Sequence, residues 1–376
     1  MNLLIHDLAP EEWEKIASSY EGWNVVRGDG SARPCIGCFH CWTGGSGECI
    51  FRDGYHRMCA LIHEADEMVV SSRYTYGGFS SGVKSVFDRC IGYVLPEFET
   101  AYGEMHHQRR FPGDKPVTFI FRGTALSEID KEKAREYAAA VCRNLRGSVK
   151  NVIFEECEEG KTETQARGAQ ERSGVLFVNC SLRREGSNTG VFLKKLQEIM
   201  ETPAETVSLS IGDIPDELIE AVRRAGTIVL GAPLYVDGLP AYALKLLDVL
   251  KATGAAEGCR LYALVNNGLY ESKQNVNMIG VIKDFCAGNG IKYEGTAAIG
   301  AGELVGTLMR SGRLWPVRNA EQCIGRLAKA IDTGSELGEI YADPFLFPRA
   351  LYIGIANTNW QRLKRKERKR GEGKKR

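Results

Sequence analysis

Apolar residues along this chain fall into short runs that alternate with helically spaced stretches, and the alternation occurs twice. In the first half NLLIHD, WNVVRG and DEMVVSS read as strands. SSGVKSVFDRCIG follows, with Val83, Val86, Phe87, Cys90 and Ile91 at helical spacing on one face. KPVTFIFRG is a strand ending at Gly123, and NVIFEE closes the set. Between them IDKEKAREYAAAVCRNLRG is a helix, with Asp130 expected as N-cap and Gly147 as its stop.

The second half repeats the order. GVLFVNCS, GTIVLGAPLY, RLYALVNNG and YEGTAAIG read as strands. TGVFLKKLQEIM, VNMIGVIKDFCAGNG and NAEQCIGRLAKAI read as helices, as does a stretch with Ala243, Leu246, Leu247 and Leu250 on one face. A slide of 160 positions lays Ala65 on Ala225, Val69 on Val229, Gly78 on Gly238 and Asp88 on Asp248. Sequential strand–helix alternation requires parallel strands with right-handed crossovers and helices on both faces. The expected fold is therefore α/β, two doubly wound parallel-sheet domains in tandem. They span 1–158 and 174–335, joined by a polar linker at 159–173 and followed by an extension at 336–376.

At 376 residues the length suits two domains. No apolar run approaches the roughly 18 residues that a membrane span needs. MNLLIHDLAPEEW has neither the basic start nor the apolar length of a signal peptide. The expectation is a cytoplasmic chain with reduced thiols. A net charge of +1 hides an asymmetry: residues 362–376 carry +8, which leaves −7 on the rest. That tail has no aromatic residue, so it reads as a solvated, disordered end and nucleic-acid binding is not expected.

In doubly wound sheets ligands bind beyond the carboxyl ends of the strands. In the second domain CSLRREGSNTG offers Ser181, Ser187, Asn188 and Thr189 just before a helix, with Arg183 and Arg184 beside them. Free backbone N–H groups and the positive end of the helix dipole make a phosphate seat there, though an ordinary N-cap reads the same way. GAPLYVDG brings Pro233, Leu234, Tyr235, Val236 and Gly238 to the mouth of a buried strand, as a wall for a planar ring. NNGLYE places Asn266, Asn267 and Gly268 where the polar edge of a ring would be met.

These loops resemble those of the flavodoxin-like NAD(P)H-dependent FMN reductases. That family's phosphate loop reads Ser-x-Arg-x-x-(Gly/Ser)-Asn-Thr and its second loop Pro-x-Tyr-x-x-Gly. Cys180 and Leu182 stand where Gly and Pro are usual, and one extra residue separates Arg183 from Ser187. The resemblance covers most of 174–335. It implies two flavodoxin-like domains, FMN on the second, NAD(P)H as electron donor, and a small-molecule or protein electron acceptor. The flavin carries the chemistry, so no catalytic side chain is expected. Pairing of subunits in the family also implies a homo-oligomer, or a fused tandem in which one domain covers the other's flavin. The loop at 92–114, with Tyr102, His106 and His107, occurs only in the first half and is expected at such a cover, its adjacent histidines reading as polar surface.

The first domain has lost the phosphate loop. LAPEEWEKI puts Glu11, Glu12 and Glu14 after the first strand, where carboxylates repel a phosphate, and Arg73 stands where Pro is usual. Its distinctive stretch is CIGCFHCWTGGSGEC. There Cys35, Cys38, Cys41 and Cys49 resemble the compact motif of iron–sulfur flavoproteins, which implies a [4Fe–4S] cluster on four thiolates. Zinc, a Cys-x-x-Cys redox pair and purely structural thiols are the alternatives. Three functional readings follow: an FMN oxidoreductase, an iron–sulfur flavoprotein electron carrier, and a non-enzymatic flavin-binding sensor or scaffold.

Overall fold

The computed structural model describes residues 1–157, 172–313 and 315–373. The linker reading of 159–173 lies outside these, apart from Arg172 and Ser173. The chain divides into two compact units, Met1–Glu159 with Pro348–Arg376, and Gly160–Phe347.

In the first unit five parallel strands lie side by side in the order Asn24–Arg27, Leu3–His6, Met68–Thr75, Pro116–Gly123, Ser148–Glu156. By chain position this is 2-1-3-4-5, the flavodoxin-like order. The second unit repeats it with Ala204–Ser208, Ser173–Asn179, Ala225–Pro233, Arg260–Asn266 and Lys292–Ile299, and adds a sixth parallel strand, Gly338–Ala342. Both sheets are doubly wound and parallel, as the alternation requires. Every residue of Leu3–His6 is buried, whereas Ser148–Glu156 at the edge has only half-buried and exposed positions.

Several elements differ from their sequence reading. The helix Glu128–Leu145 is capped by Ser127, whose hydroxyl accepts from the Asp130 amide while the Asp130 carboxylate accepts from the Ser127 amide. Asp130 is thus the third residue of a capping box and not the cap itself. The helix ends one residue early, at Arg146 in a left-handed conformation (φ 59°).

The segment 336–376 is not one extension. Its strand Gly338–Ala342 belongs to the second sheet, and the helix Arg349–Gly373 belongs to the first unit. The basic end read as disordered is helical as far as Gly373, because its N-terminal half is anchored. Trp360 is 5% exposed and packs edge-on against both Phe39 and Trp42, each at 5.3 Å. Lys364 pairs with Glu97, and Asn357 hydrogen-bonds the backbone of Phe98.

The first-half insertion is a hairpin, Val94–Ala101 with Glu104–Arg109, closed by a two-residue turn at Tyr102 (φ 54°) and Gly103 (φ 82°). Its histidines are not polar surface. His106 is 1% exposed with Nδ1 at 2.9 Å from Asn144 Oδ1, and His107 sits between Trp42 (4.7 Å) and Phe98 (4.5 Å). Burial holds His107 down to about 4 and lowers His106 as well, so both rings are neutral at physiological pH, His106 buried and His107 half-buried between its aromatic neighbours.

Candidate functional site

In the second unit the loops at the carboxyl ends of three neighbouring strands meet. After Ser173–Asn179 the chain turns through Ser181, whose amide donates to Asn179 Oδ1 (3.0 Å), and a single 3₁₀ turn at Arg184–Gly186. Ser187 then caps the helix Asn188–Ile199, its hydroxyl oxygen accepting from the Gly190 amide at 2.8 Å. Thr189, in the first turn of that helix, donates its hydroxyl to Asn266 Oδ1 at 2.7 Å. The backbone of Asn266 in turn accepts from the Leu234 amide at 2.8 Å. These two bonds join all three loops.

The second loop is rigid. Tyr235 and Gly238 exchange both backbone hydrogen bonds at 3.0 Å, with Val236 (φ 38°) and Asp237 (φ 59°) left-handed between them. Left-handed valine is disfavoured, which marks this turn as fixed by its surroundings. In the third loop Asn267 Nδ2 donates to Glu271 O at 2.9 Å, while its buried Oδ1 has no partner among the described residues. Of the residues singled out from sequence, Ser181, Ser187, Asn188, Thr189, Pro233, Leu234, Tyr235, Val236, Gly238, Asn266 and Asn267 lie in this joined set of loops. Arg183 and Gly268 are exposed at its margins.

The helix Gly302–Arg310, which follows the fifth strand, went unnoticed in the sequence. It packs so closely that a Cβ on Gly302 would stand 2.9 Å from Asn267 O, and one on Gly306 2.5 Å from Asn188 Oδ1. Arg310 Nη2 donates to Asn188 Oδ1 at 2.9 Å. Burial pushes the carboxyl of Glu303 up, against the pull of Arg183 and Arg310. Glycines four apart in AGELVGTLMR were the available sign that one helix face needs close approach.

The strand registers place the first unit's counterparts. His6 pairs with Ser71 and Arg73 with Arg122, just as Asn179 pairs with Gly231 and Pro233 with Asn266. The offset of 160 lays Arg73 on Pro233, so Arg122, the strand partner of Arg73, occupies the place of Asn266, the strand partner of Pro233. Where the second unit joins Thr189 to Asn266, the first joins Glu12 to Arg122, Nη1 lying 3.2 Å from both carboxylate oxygens. Arg122 also pairs with Asp7, which accepts from the Arg73 amide at 3.0 and 3.1 Å. Glu12 further accepts from the Ala9 amide (2.7 Å) at the head of its helix. A carboxylate of the chain itself therefore stands at the head of the first unit's first helix and ties it to Arg122.

Four of the first unit's cysteines, Cys35, Cys38, Cys41 and Cys49, line one cavity together with Phe39, Asp88 and Arg89. The loop is pinned from several sides. Trp42 Nε1 donates to Ile91 O (2.9 Å) and Val94 O (3.0 Å), and Arg110 donates to Gly92 O (2.6 Å) and Gly45 O (2.9 Å). Gly47 and Gly92 pass so closely that a Cβ on Gly92 would lie 2.0 Å from Gly47 O. Asp53 closes the loop by accepting from the Arg33 amide (3.1 Å) and from Arg89 (2.6 Å).

Burial, with the other thiols adding to it, pushes Cys35 up strongly, and burial pushes Cys41 up to about 12. Among the described residues no three His, Cys, Asp or Glu side chains are gathered tightly enough for a single metal ion. What the four thiols share is the lining of that one cavity.

No protein-family model matches the chain, and no curated protein sequence matches it. Among solved structures, azoreductase from Bacillus anthracis is 18% identical over 43% of this chain and 99% of its own, with a TM-score of 0.30. An FMN-dependent NADH-azoreductase from Bacillus anthracis in complex with FMN is 14% identical over 43% and 99%, with a TM-score of 0.30. The Trp repressor binding protein from Bacillus subtilis is 16% identical over 33% and 81%, with a TM-score of 0.29. Among the described residues no helix is long and apolar enough to cross a membrane.

Proposed function

We propose that this chain is an FMN-dependent NAD(P)H oxidoreductase whose second unit holds the flavin and passes electrons to a small-molecule or protein acceptor. The observation that supports it most directly is the junction of three strand-end loops through Thr189 and Asn266. The amides at the head of Asn188–Ile199, with Ser181, Ser187 and Thr189, would receive the phosphate. Pro233, Leu234, Tyr235, Val236 and Gly238 would wall the ring, and Asn266, Asn267 and Gly268 would meet its polar edge. The buried, unpartnered Asn267 Oδ1 fits a ring N–H. Bound flavin supplies hydride acceptance and onward electron transfer, and the chain's own groups hold, orient and shield it.

The test is flavin per chain after purification or reconstitution, followed by NADH and NADPH oxidation with a generic acceptor. One FMN per chain with turnover supports the proposal. Bound FMN without turnover favours a flavin-binding sensor or scaffold, and failure to bind FMN refutes both.

A second reading is favoured by the thiol cavity: an iron–sulfur flavoprotein electron carrier with a [4Fe–4S] cluster on Cys35, Cys38, Cys41 and Cys49. Its supports are the donor set of four thiols and a buried guanidinium beside it. Stoichiometric iron and acid-labile sulfide in protein purified without oxygen would support it, and their absence after reconstitution would rule it out.

A further inference from the structure

Arg89 is a buried cation whose hydrogen-bonding capacity is only partly used. Its side chain is 0% exposed and borders the cavity of the four cysteines. Nη1 donates to Asp53 Oδ2 (2.6 Å) and Arg33 O (3.3 Å), and Nη2 to Phe51 O (3.0 Å). The Cys49 side chain lies within hydrogen-bonding reach of the guanidinium. Nε, buried as well, has no partner among the described residues. A buried donor without an acceptor is costly, and more so on a charged group. The carboxylate that lines the cavity, Asp88, is already engaged with the buried Lys84.

The two charged side chains that line the cavity are each paired, Arg89 with Asp53 and Asp88 with Lys84. Loading a four-iron cluster releases the thiol protons and leaves an anionic centre. That centre needs a counter-charge and hydrogen-bond donors, and Arg89 already stands there with one donor unassigned.

We propose that Arg89 is the hydrogen-bond donor and counter-charge of a cluster held by Cys35, Cys38, Cys41 and Cys49, and that its Nε–H raises the cluster's reduction potential. This rests on the cluster reading. Taking up one electron adds one negative charge, so a neighbouring cation and donor stabilise the reduced form more than the oxidised one. Arg89 is a positioning and tuning residue and not a ligand.

The experiment is an anaerobic dithionite titration of full-length wild type, Arg89→Met and Arg89→Lys, with iron and sulfide determined on each. The expected result is unchanged iron content and a tenfold loss of relative stabilisation of the reduced form in Arg89→Met. That corresponds to a potential about 59 mV more negative for a one-electron couple. Arg89→Lys, which keeps the charge but not the Nε–H, should shift the same way by less. Wild-type iron content with a wild-type potential in Arg89→Met overturns the assignment and leaves the cluster reading intact. Should Arg89→Met fail to hold iron, Arg89→Lys decides, and a wild-type potential there overturns it equally. Wild type that holds no iron overturns the cluster reading and the role of Arg89 with it.

Discussion

Thr189→Val isolates the bond that joins the loops of the second unit. Thr189 is 1% exposed and Asn266 6%, so water cannot replace the donor that Asn266 Oδ1 would lose. Valine nearly preserves the shape of threonine and removes only the hydroxyl that now lies 2.7 Å from that oxygen. A buried acceptor left unsatisfied costs about 1–3 kcal/mol. If the whole cost falls on the flavin-bound arrangement, FMN affinity drops roughly 5- to 150-fold. Thr189→Ser is the control: it keeps the hydroxyl and removes a methyl group worth about 0.8 kcal/mol of burial. FMN affinity is read by quenching of flavin fluorescence. Stability is read by urea unfolding with and without FMN, resolved into separate transitions because two units need not unfold as one. A Thr189→Val protein that binds FMN and unfolds as wild type does would refute the claim that this bond holds the loops together.

Trp360→Ala removes a side chain 5% exposed from the Phe39–Trp42 cluster. It should cost the first unit about 3–5 kcal/mol and speed thiol labelling of Cys35, Cys38 and Cys41. Labelling rates equal to wild type would mean that the C-terminal helix does not brace the cysteine loop. Lys84→Met leaves Asp88 buried at 1% exposure without its cation, and should destabilise by about 3–5 kcal/mol. The double variant Lys84→Met/Asp88→Leu should recover most of that in the same unfolding assay. Burial holds His6 and His107 near 4 in the folded state, below the ordinary value near 6.5. The unfolded chain therefore binds more protons between those values, and first-unit stability should fall as pH drops from about 6.5 towards 4. A thermal midpoint for that unit that does not change between pH 7 and pH 5 would contradict the neutral assignment.

The sheets were legible because burial on both faces of a parallel sheet leaves near-continuous apolar runs such as LLIH and MVVSS, and a fixed offset exposed the repeat. The loops of the second unit were legible because small polar residues before a helix and Pro-Leu-Tyr after a strand have local causes. The long-range partners were not. Arg122 and Glu12 are 110 residues apart in sequence, and Arg310 and Asn188 are 122 apart. No periodicity encodes such pairs. His106 and His107 misled for a similar reason: adjacent strand residues face opposite sides, and each is covered by a partner distant in sequence, His106 by Asn144 and His107 by Trp42. The basic helical end misled because its composition outweighed Trp360, whose aromatic partners lie more than 300 positions earlier.

Glu12 in the first unit has a consequence in terms of mass action. A tethered carboxylate cannot be diluted away, so the contact it makes with Arg122 is present at any cofactor level. A second unit that receives its anion from solution instead gains stability as RT ln(1 + [L]/Kd), about 2.7 kcal/mol at a hundredfold excess over Kd. Under the FMN reading, scarcity of flavin would weaken only one of the two units. The other, sealed by its own side chains, would remain folded and hold its cysteine loop ready whether or not flavin is supplied.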